Sequence, residues 1–277
     1  MVVAYSTLDV AGRGIATKLA NLAGCRNTTV REIPEACIAE IGDSEVVIAG
    51  FNEDVLYFNF LDELLEASYY VIVSRHSATS GIKSLTVHHT GNPSNKAEYG
   101  GRPRELAIAN PPIAFSILKE LSKLSISHRI EDTEITYEVT HHGPTEVRKP
   151  LTFAEIGSSI NEWSNELYQE VLAKAVYRAI AEPQSICTSS VGIGGGHYAH
   201  QFTQRAFNQS ECYGHIISRH AIKDLRESPE LLESILRQAI VRSSTQTRRI
   251  VLEGKVPGYV KQVANSIAGD YGLDVTE

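Results

Sequence analysis

The 277 residues carry a net charge of −7, with 42% hydrophobic and 21% charged residues. That is an ordinary soluble-protein balance, long enough for a sizeable core in one large α/β domain or two small ones. An acidic chain is not a general nucleic-acid coat. No apolar run reaches the ~18–20 residues that span a bilayer, and the start MVVAYSTLDV lacks a basic segment followed by an apolar one, so no secretory signal is read.

Taken in order, Met1–Ser6 reads as a buried strand, followed by a helix over Ala11–Leu22 with Gly24 as its stop. The four cysteines, Cys25, Cys37, Cys187 and Cys212, form no CxxC pair, and they are expected to be buried, reduced thiols of a cytoplasmic protein. Thr28–Ile33 and Glu45–Gly50 read as strands, and the continuous apolar character of the latter suits a sheet covered on both faces. A short helix follows over Leu56–Glu66, then a strand Tyr69–His76 and a short run Leu85–His89. Thr90–Pro112 is a long loop rich in Gly, Asn and Pro, and Pro111-Pro112 opens a helix of about three turns.

Residues 134–140 alternate like a strand and end on His141-His142 before the turn at Gly143-Pro144. A loop leads to Ser159-Ile160-Asn161-Glu162, a capping box that starts a long helix to about Ala181. Ile186–Ile193 is a strand running into Gly192-Ile193-Gly194-Gly195-Gly196-His197-Tyr198, with a helix from Ala199. Strands at Glu211–Ile217 and Arg249–Leu252 and helices from Ser228-Pro229 and over Pro257–Ala268 complete the chain. Strands alternating with helices from end to end predict an α/β protein with helices on both faces of a mostly parallel or mixed sheet, in one domain over 1–277.

Four predicted strand ends carry histidine: His76, His88-His89, His141-His142 and His197. If the strands are parallel, those ends share one edge, where open α/β sheets bind ligands. Neutral imidazole is the commonest ligand of zinc-like metals, so the recurrence points to a metal site, with Glu98 and Glu146 near in sequence to complete it or to act as base. Strictly extended, His141 and His142 cannot both point into one site; either the turn at Gly143 rotates one of them or one is structural, and both are expected near the site, with His142, beside the turn, the closer. The glycine run after a strand and before a helix is either a tight turn or a cradle in which the 194–196 amides hold an oxyanion or phosphate. Two basic stretches stand out on the acidic chain, Lys83, Lys96, Arg102 and Arg104 against Glu98, and Arg237 to Lys261 against Glu253. They are solvated faces or local patches for a polyanion.

Ser74-Arg75-His76, Leu85-Thr86-Val87-His88 with Thr90-Gly91-Asn92, Thr140-His141-His142-Gly143-Pro144, Glu155-Ile156-Gly157-Ser158 and the 192–198 run together resemble the archaeal and plant type of D-aminoacyl-tRNA deacylase, in order and over nearly the whole chain. One position departs: His200 stands where that family commonly has proline. The resemblance implies an esterase that cleaves a D-amino acid from the 3′ end of tRNA, two zinc ions per chain, and a monomer; no membrane association is read from the sequence and no protein partner is inferred. It also implies a three-layer α/β/α fold with a mixed, mostly parallel sheet, similar to the phosphorylase/peptidyl-tRNA hydrolase group.

On that footing His76, His88, His142 and His197 are the expected zinc ligands, His142, His141 and Glu146 the catalytic groups, and Gly194, Gly195 and Gly196 the oxyanion or phosphate cradle. Arg102, Arg104, Arg248 and Arg249 are the expected contacts to tRNA. The competing readings are a metal-dependent peptidase or amidohydrolase on a related α/β fold, a phosphorylase or nucleotide binder, and a non-catalytic RNA-binding module.

Overall fold

A computed structural model describes residues 1–30, 33–183 and 186–277. β1 (Val2–Ser6) is buried throughout and feeds α1 (Val10–Leu22), whose first turn is capped by the Asp9 carboxylate accepting the Ala11 amide. β2 (Arg26–Asn27), β3 (Glu35–Ile41) and β4 (Ser44–Phe51) form an antiparallel flank. A 3-10 turn over Val55–Phe60 and α2 (Leu61–Leu64) lead to β5 (Tyr70–Ser77) and β6 (Ser84–His88). Between β6 and α3 (Pro111–Ser127) the long loop holds a small ladder of β7 (Gly91–Asn92) and β8 (Glu105–Leu106).

β9 (Glu134–Tyr137) and β10 (Leu151–Ser158) complete the first sheet, and α4 (Ile160–Trp163) and α5 (Glu166–Ala181) follow. The second half adds β11 (Thr188–Ile193), α6 (His200–Gln209), β12 (Glu211–Ile217), α7 (Arg219–Asp224), α8 (Pro229–Val241), β13 (Arg249–Leu252), α9 (Gly258–Tyr271) and β14 (Asp274–Thr276).

The first sheet has the order β2-β3-β4-β1-β5-β10-β6-β9, and the second, all parallel, β12-β11-β13-β14. Helices α1, α3 and α5 cover one face of the first sheet through Ile15, Leu19, Ile117, Leu121 and Val176, in a core that also takes in Phe202, Tyr213 and Ile216 of the second half. The other face is covered near its middle by Val55, Phe58 and Leu61 against Ile72 and Phe153. Helices α7, α8 and α9 pack a second core against the smaller sheet. The fold is therefore a layered α/β structure with a mixed, mostly parallel sheet.

Several expectations change. The histidine-bearing strand ends do not share one parallel edge, because β6 runs antiparallel to β10 while β5 runs parallel to it. β10 falls where a loop was expected. All eight of its residues are buried, so it shows no period-2 alternation. β3 was missed as well. Of the expected strand Thr28–Ile33, residues 31 and 32 lie outside the described residues and 28–30 have no regular structure; the strand in this region is β2.

The expected long helix from Ser159 is two helices. The capping box is present, but the first helix ends at Ser164 and Asn165 caps the next by accepting the Leu167 and Tyr168 amides. A helix does begin at His200 in spite of the missing proline. The cysteines are not reduced thiols: Cys25 is bonded to Cys37 and Cys187 to Cys212. Their spacing signalled no pairing because the partners are brought together by sheet register, as where Cys37 lies opposite Asn27 on β2. Cross-links closing loops of 12 and 25 residues restrict the unfolded chain by about 3 kcal/mol each on the chain-entropy account.

Candidate active site

The site is built on one face of the first sheet, centred on Glu155 of β10. Glu155 pairs in register with Ser74 of β5 and Thr86 of β6. Alternation puts Ser74 and His76, Glu155, and Thr86 and His88 on the same face. It sends His89 to the opposite side, where Nδ1 lies 2.6 Å from the Gly214 carbonyl. His89 is thus outside the cluster that its neighbour joins.

Past β9 the chain crosses to the smaller sheet. The Glu138 amide donates to the Val87 carbonyl, that of Val139 to His197 and that of Thr140 to Ile216. This stitching seats His197 against Glu138. His142 then adopts φ 45°, the left-handed region that β-strands exclude. The twist resolves the alternation problem, since the adjacent rings of His141 and His142 both face the cluster, with centroids 4.4 Å apart. His88 lies 4.4 Å from His141 and 4.9 Å from His142 in the same measure. Gly143 is required beside them, because a Cβ there would meet Gly101, Gly100 and Leu56 backbone atoms at under 3.0 Å.

Two buried carboxylates lie against four of the five histidines. Glu138 lies 3.2 Å from His76 Nδ1, 3.2 Å from His197 Nε2 and 3.4 Å from His141 Nε2. Glu155 lies 3.5 Å from His76 Nδ1 and 3.4 Å from His88 Nε2, and its other oxygen accepts the Ser74 hydroxyl at 2.6 Å. Yet neither oxygen of Glu138, nor Nε2 of His88, has a hydrogen-bond partner. Buried polar atoms in native proteins are seldom left so.

The tautomers explain part of the pattern. Carbonyl oxygens only accept, so Nδ1 carries the proton where it faces the carbonyls of Val139 (His141, 2.8 Å) and Gly143 (His142, 2.6 Å). Nδ1 of His88 is 3.3 Å from the His89 carbonyl in the same sense. Three Nε2 lone pairs are thereby directed into the cluster, the arrangement that backbone carbonyls impose on metal-ligating histidines.

Two ligands ~2.0–2.1 Å from one zinc ion in a tetrahedron stand roughly 3.3 Å apart, close to the spacing of Glu138 from His76 and His197. Donor atoms of His88, His141 and His142, of His76, Glu138 and His197, and of His88, Glu138 and Glu155 each lie within 4.8 Å of one another. The nitrogen and oxygen donor set fits a zinc-like ion.

The carboxylates carry negative charge for a cation, and against the lowering effect of burial Glu155 and Glu138 raise His88. Burial disfavours the ionised form of Glu138, but His197, His76 and His88 hold it below the ordinary carboxylate range. Burial likewise opposes ionisation of Glu155, and His76 and His88 hold it well below. Burial and the neighbouring histidines keep His141 neutral, and burial with His88 lowers His142 to about 4. Burial would also lower His76, but Glu155 and Glu138 override it and push it up to about 9.

Behind the cluster, burial lowers His89 to about 3 and His215 to about 4. An unfolded histidine takes a proton near pH 6.5. Between pH 6.5 and 4 the unfolded chain therefore binds more protons, and stability falls as pH falls. In chelated protein each of the two is expected to forfeit about 2 kcal/mol between pH 7.5 and pH 5. Urea midpoints at the two pH values check this, and His215→Gln is expected to lose about 2 kcal/mol less than the parent over the same range.

Other expected site residues lie elsewhere. Glu146, the expected base, is paired with Arg102 and lines a different hollow with Arg148 and Arg242. The glycine cradle is largely spent: the Gly194 amide donates to the Ile217 carbonyl and that of Gly195 to the Glu253 carboxylate, leaving Gly196. Of the expected tRNA contacts, Arg249 is tied to Glu211 and Asp274 and Arg104 bonds Asn95, whereas Arg248 is exposed. The residues overlooked are Glu138 and Glu155. Alternation through Thr136, Glu138 and Thr140 was a usable signal for the first, and Glu155 was quoted in a motif without being given a role.

A family model described as D-aminoacyl-tRNA deacylase matches residues 64–276. The D-aminoacyl-tRNA deacylase of Staphylothermus marinus is 44% identical, covering 91% of this chain and 90% of that protein. That of Hyperthermus butylicus is 38% identical, covering 98% and 97%. A crystal structure described as a conserved protein of unknown function superposes with a TM-score of 0.88 at 30% identity, covering 99% of this chain and 94% of the other.

Proposed function

The chain belongs to the D-aminoacyl-tRNA deacylase family, and from that premise we propose that the histidine and glutamate cluster is where the ester is cleaved, with zinc as its cofactor. The activity is hydrolysis of D-aminoacyl-tRNA to free D-amino acid and tRNA. The observation that carries the site assignment is Glu138, a buried carboxylate whose two unpartnered oxygens are ringed by His76, His141 and His197.

On this reading His76, Glu138 and His197 hold one ion and His88, His141 and His142 the other, with Glu155 between His76 and His88. Bound zinc supplies positive charge that polarises the ester carbonyl and acidifies water. The carbonyls of Val139 and Gly143 fix the His141 and His142 rings, and the Ser74 hydroxyl fixes Glu155. Glu138 replaces Glu146 as acceptor of the proton from the attacking water, because its oxygens face the cluster without donors of their own. The Gly196 amide is the remaining donor of the glycine loop for developing negative charge.

The same reading takes residues 1–277 as one domain working as a monomer in the cytoplasm, where charged tRNA is found. No helix among the described residues is long and apolar enough to cross a membrane. The test compares deacylation of D-Tyr-tRNA with that of L-Tyr-tRNA. Much faster release of D-tyrosine is expected, and equal rates would overturn the chiral reading.

A further inference from the structure

Two clefts meet at the cluster. One, of about 770 Å³, is lined by His76 and Glu155 together with Leu8, Asp9, Asp54 and Arg75. The other, of about 640 Å³, lies between the 91–99 loop and α7 and is lined by Lys96, Arg219 and Lys223. His141, His142, His197 and Tyr99 line both. The imidazoles are thus a partition with a cleft on either side.

The clefts differ in charge. In the larger, Asp9, Asp54 and Glu155 face a single cation, Arg75, which is 3.5 Å from Asp54. In the smaller, three exposed cations face Glu98 and Asp224. Of the cations, Arg219 is committed to Glu253 at 2.7 Å, which leaves Lys96 and Lys223 as those with the freer charge. A third hollow, of about 610 Å³ beyond Tyr198, touches only His197 of the cluster and has no lysine or arginine in its wall.

The substrate has the same polarity. On one side of its ester stands an α-ammonium group, and on the other a ribose, an adenine and a chain of phosphodiesters. The terminal base lies one ribose from the scissile bond, so a stacking surface for it must stand directly beside the cluster. Tyr99 does, and it is 64% exposed. Its backbone is anchored to the cluster by the Gly143 amide, which donates to the Tyr99 carbonyl at 2.9 Å. An aromatic ring so exposed at the lip of a cleft, on an anchored backbone, suits a flat partner better than a place in the core.

We propose that the smaller cleft receives the single-stranded 3′ end of the tRNA, with the terminal base stacked on Tyr99 and the preceding phosphates near Lys96 and Lys223, while the D-aminoacyl group lies across the partition in the cleft of Asp54. This assignment rests on the deacylase reading. Tyr99, Lys96 and Lys223 bind the leaving tRNA and take no part in the chemistry.

The experiment is steady-state deacylation of D-Tyr-tRNA by the metal-loaded protein over a range of salt. Tyr99→Ala is expected to raise KM about tenfold or more with a much smaller change in kcat, and Tyr99→Phe to restore KM, since the ring and not the hydroxyl stacks. Lys96→Glu with Lys223→Glu is expected to raise KM and to flatten its dependence on salt. All of these side chains are exposed, so the variants are expected to fold. An active parent enzyme with KM and salt slope unchanged in both Tyr99→Ala and the double lysine variant overturns the subsite and leaves the deacylase reading intact. A parent protein that releases no D-tyrosine overturns the deacylase reading itself.

Discussion

Replacing Glu138 by glutamine is expected to slow deacylation of D-Tyr-tRNA by about 100- to 10,000-fold, the range typical of a lost acid–base group. On the zinc reading, the same change is expected to lower the metal content of the purified protein. Glutamine keeps the shape of the side chain but removes the one charge that approaches His76, His141 and His197 together. Turnover and metal content of the purified variant, measured side by side, check the prediction. Glu146→Gln is the matched control and should leave turnover within about twofold of the parent, because Glu146 pairs with Arg102 outside the cluster. If the two variants exchanged these outcomes, the carboxylates would have been assigned the wrong way round.

The second large effect is steric. Gly143→Ala is expected to cost about 2–4 kcal/mol of stability, as overpacking against rigid backbone does at its upper end, and to depress turnover severely in whatever protein still folds. The added methyl would meet backbone of Gly100, Gly101 and Leu56, none of which is a flexible side chain. Relief must come from moving the 99–101 loop or the His142 turn, and either displaces a wall of the site. Gly254→Ala, where nothing lies within 4 Å of the new carbon, is expected to be nearly neutral. Urea denaturation of the two variants against the parent measures both.

The histidines were legible because four predicted strands led into one at their ends, a pattern that survives errors in strand direction. Direction itself was not legible. β6 runs against β10 because the chain reverses between β5 and β6, and β10, far on in sequence, then enters between them parallel to β5, which no local pattern reports. The site nevertheless assembles, because alternation on three neighbouring strands places Ser74, His76, Glu155, Thr86 and His88 on one face whichever way β6 runs.

Glu155 was hidden for a different reason. Its strand is buried on both faces and mixes Thr, Glu, Gly and Ser with apolar residues, so it has neither alternation nor a clean apolar run. Glu138 lay within the predicted strand 134–140, just past β9, and was given no role, although its side chain is buried. Glu146 drew attention by closeness in sequence alone, and the turn at Gly143 carries it away. The glycine loop was placed correctly after β11, but the amides of Gly194 and Gly195 are claimed by Ile217 and Glu253, which are distant in sequence. The disulfides failed to show for the same reason: each joins residues that only sheet pairing brings together.

The most direct test of the central claim is the rate of D-Tyr-tRNA deacylation before chelation, after chelation to a verified metal-free state, and after zinc is added back. If His76, His88, Glu138, His141, His142 and His197 form a zinc-dependent deacylase site, activity disappears with the metal and returns with zinc. Undiminished turnover by protein shown to contain no metal would contradict it.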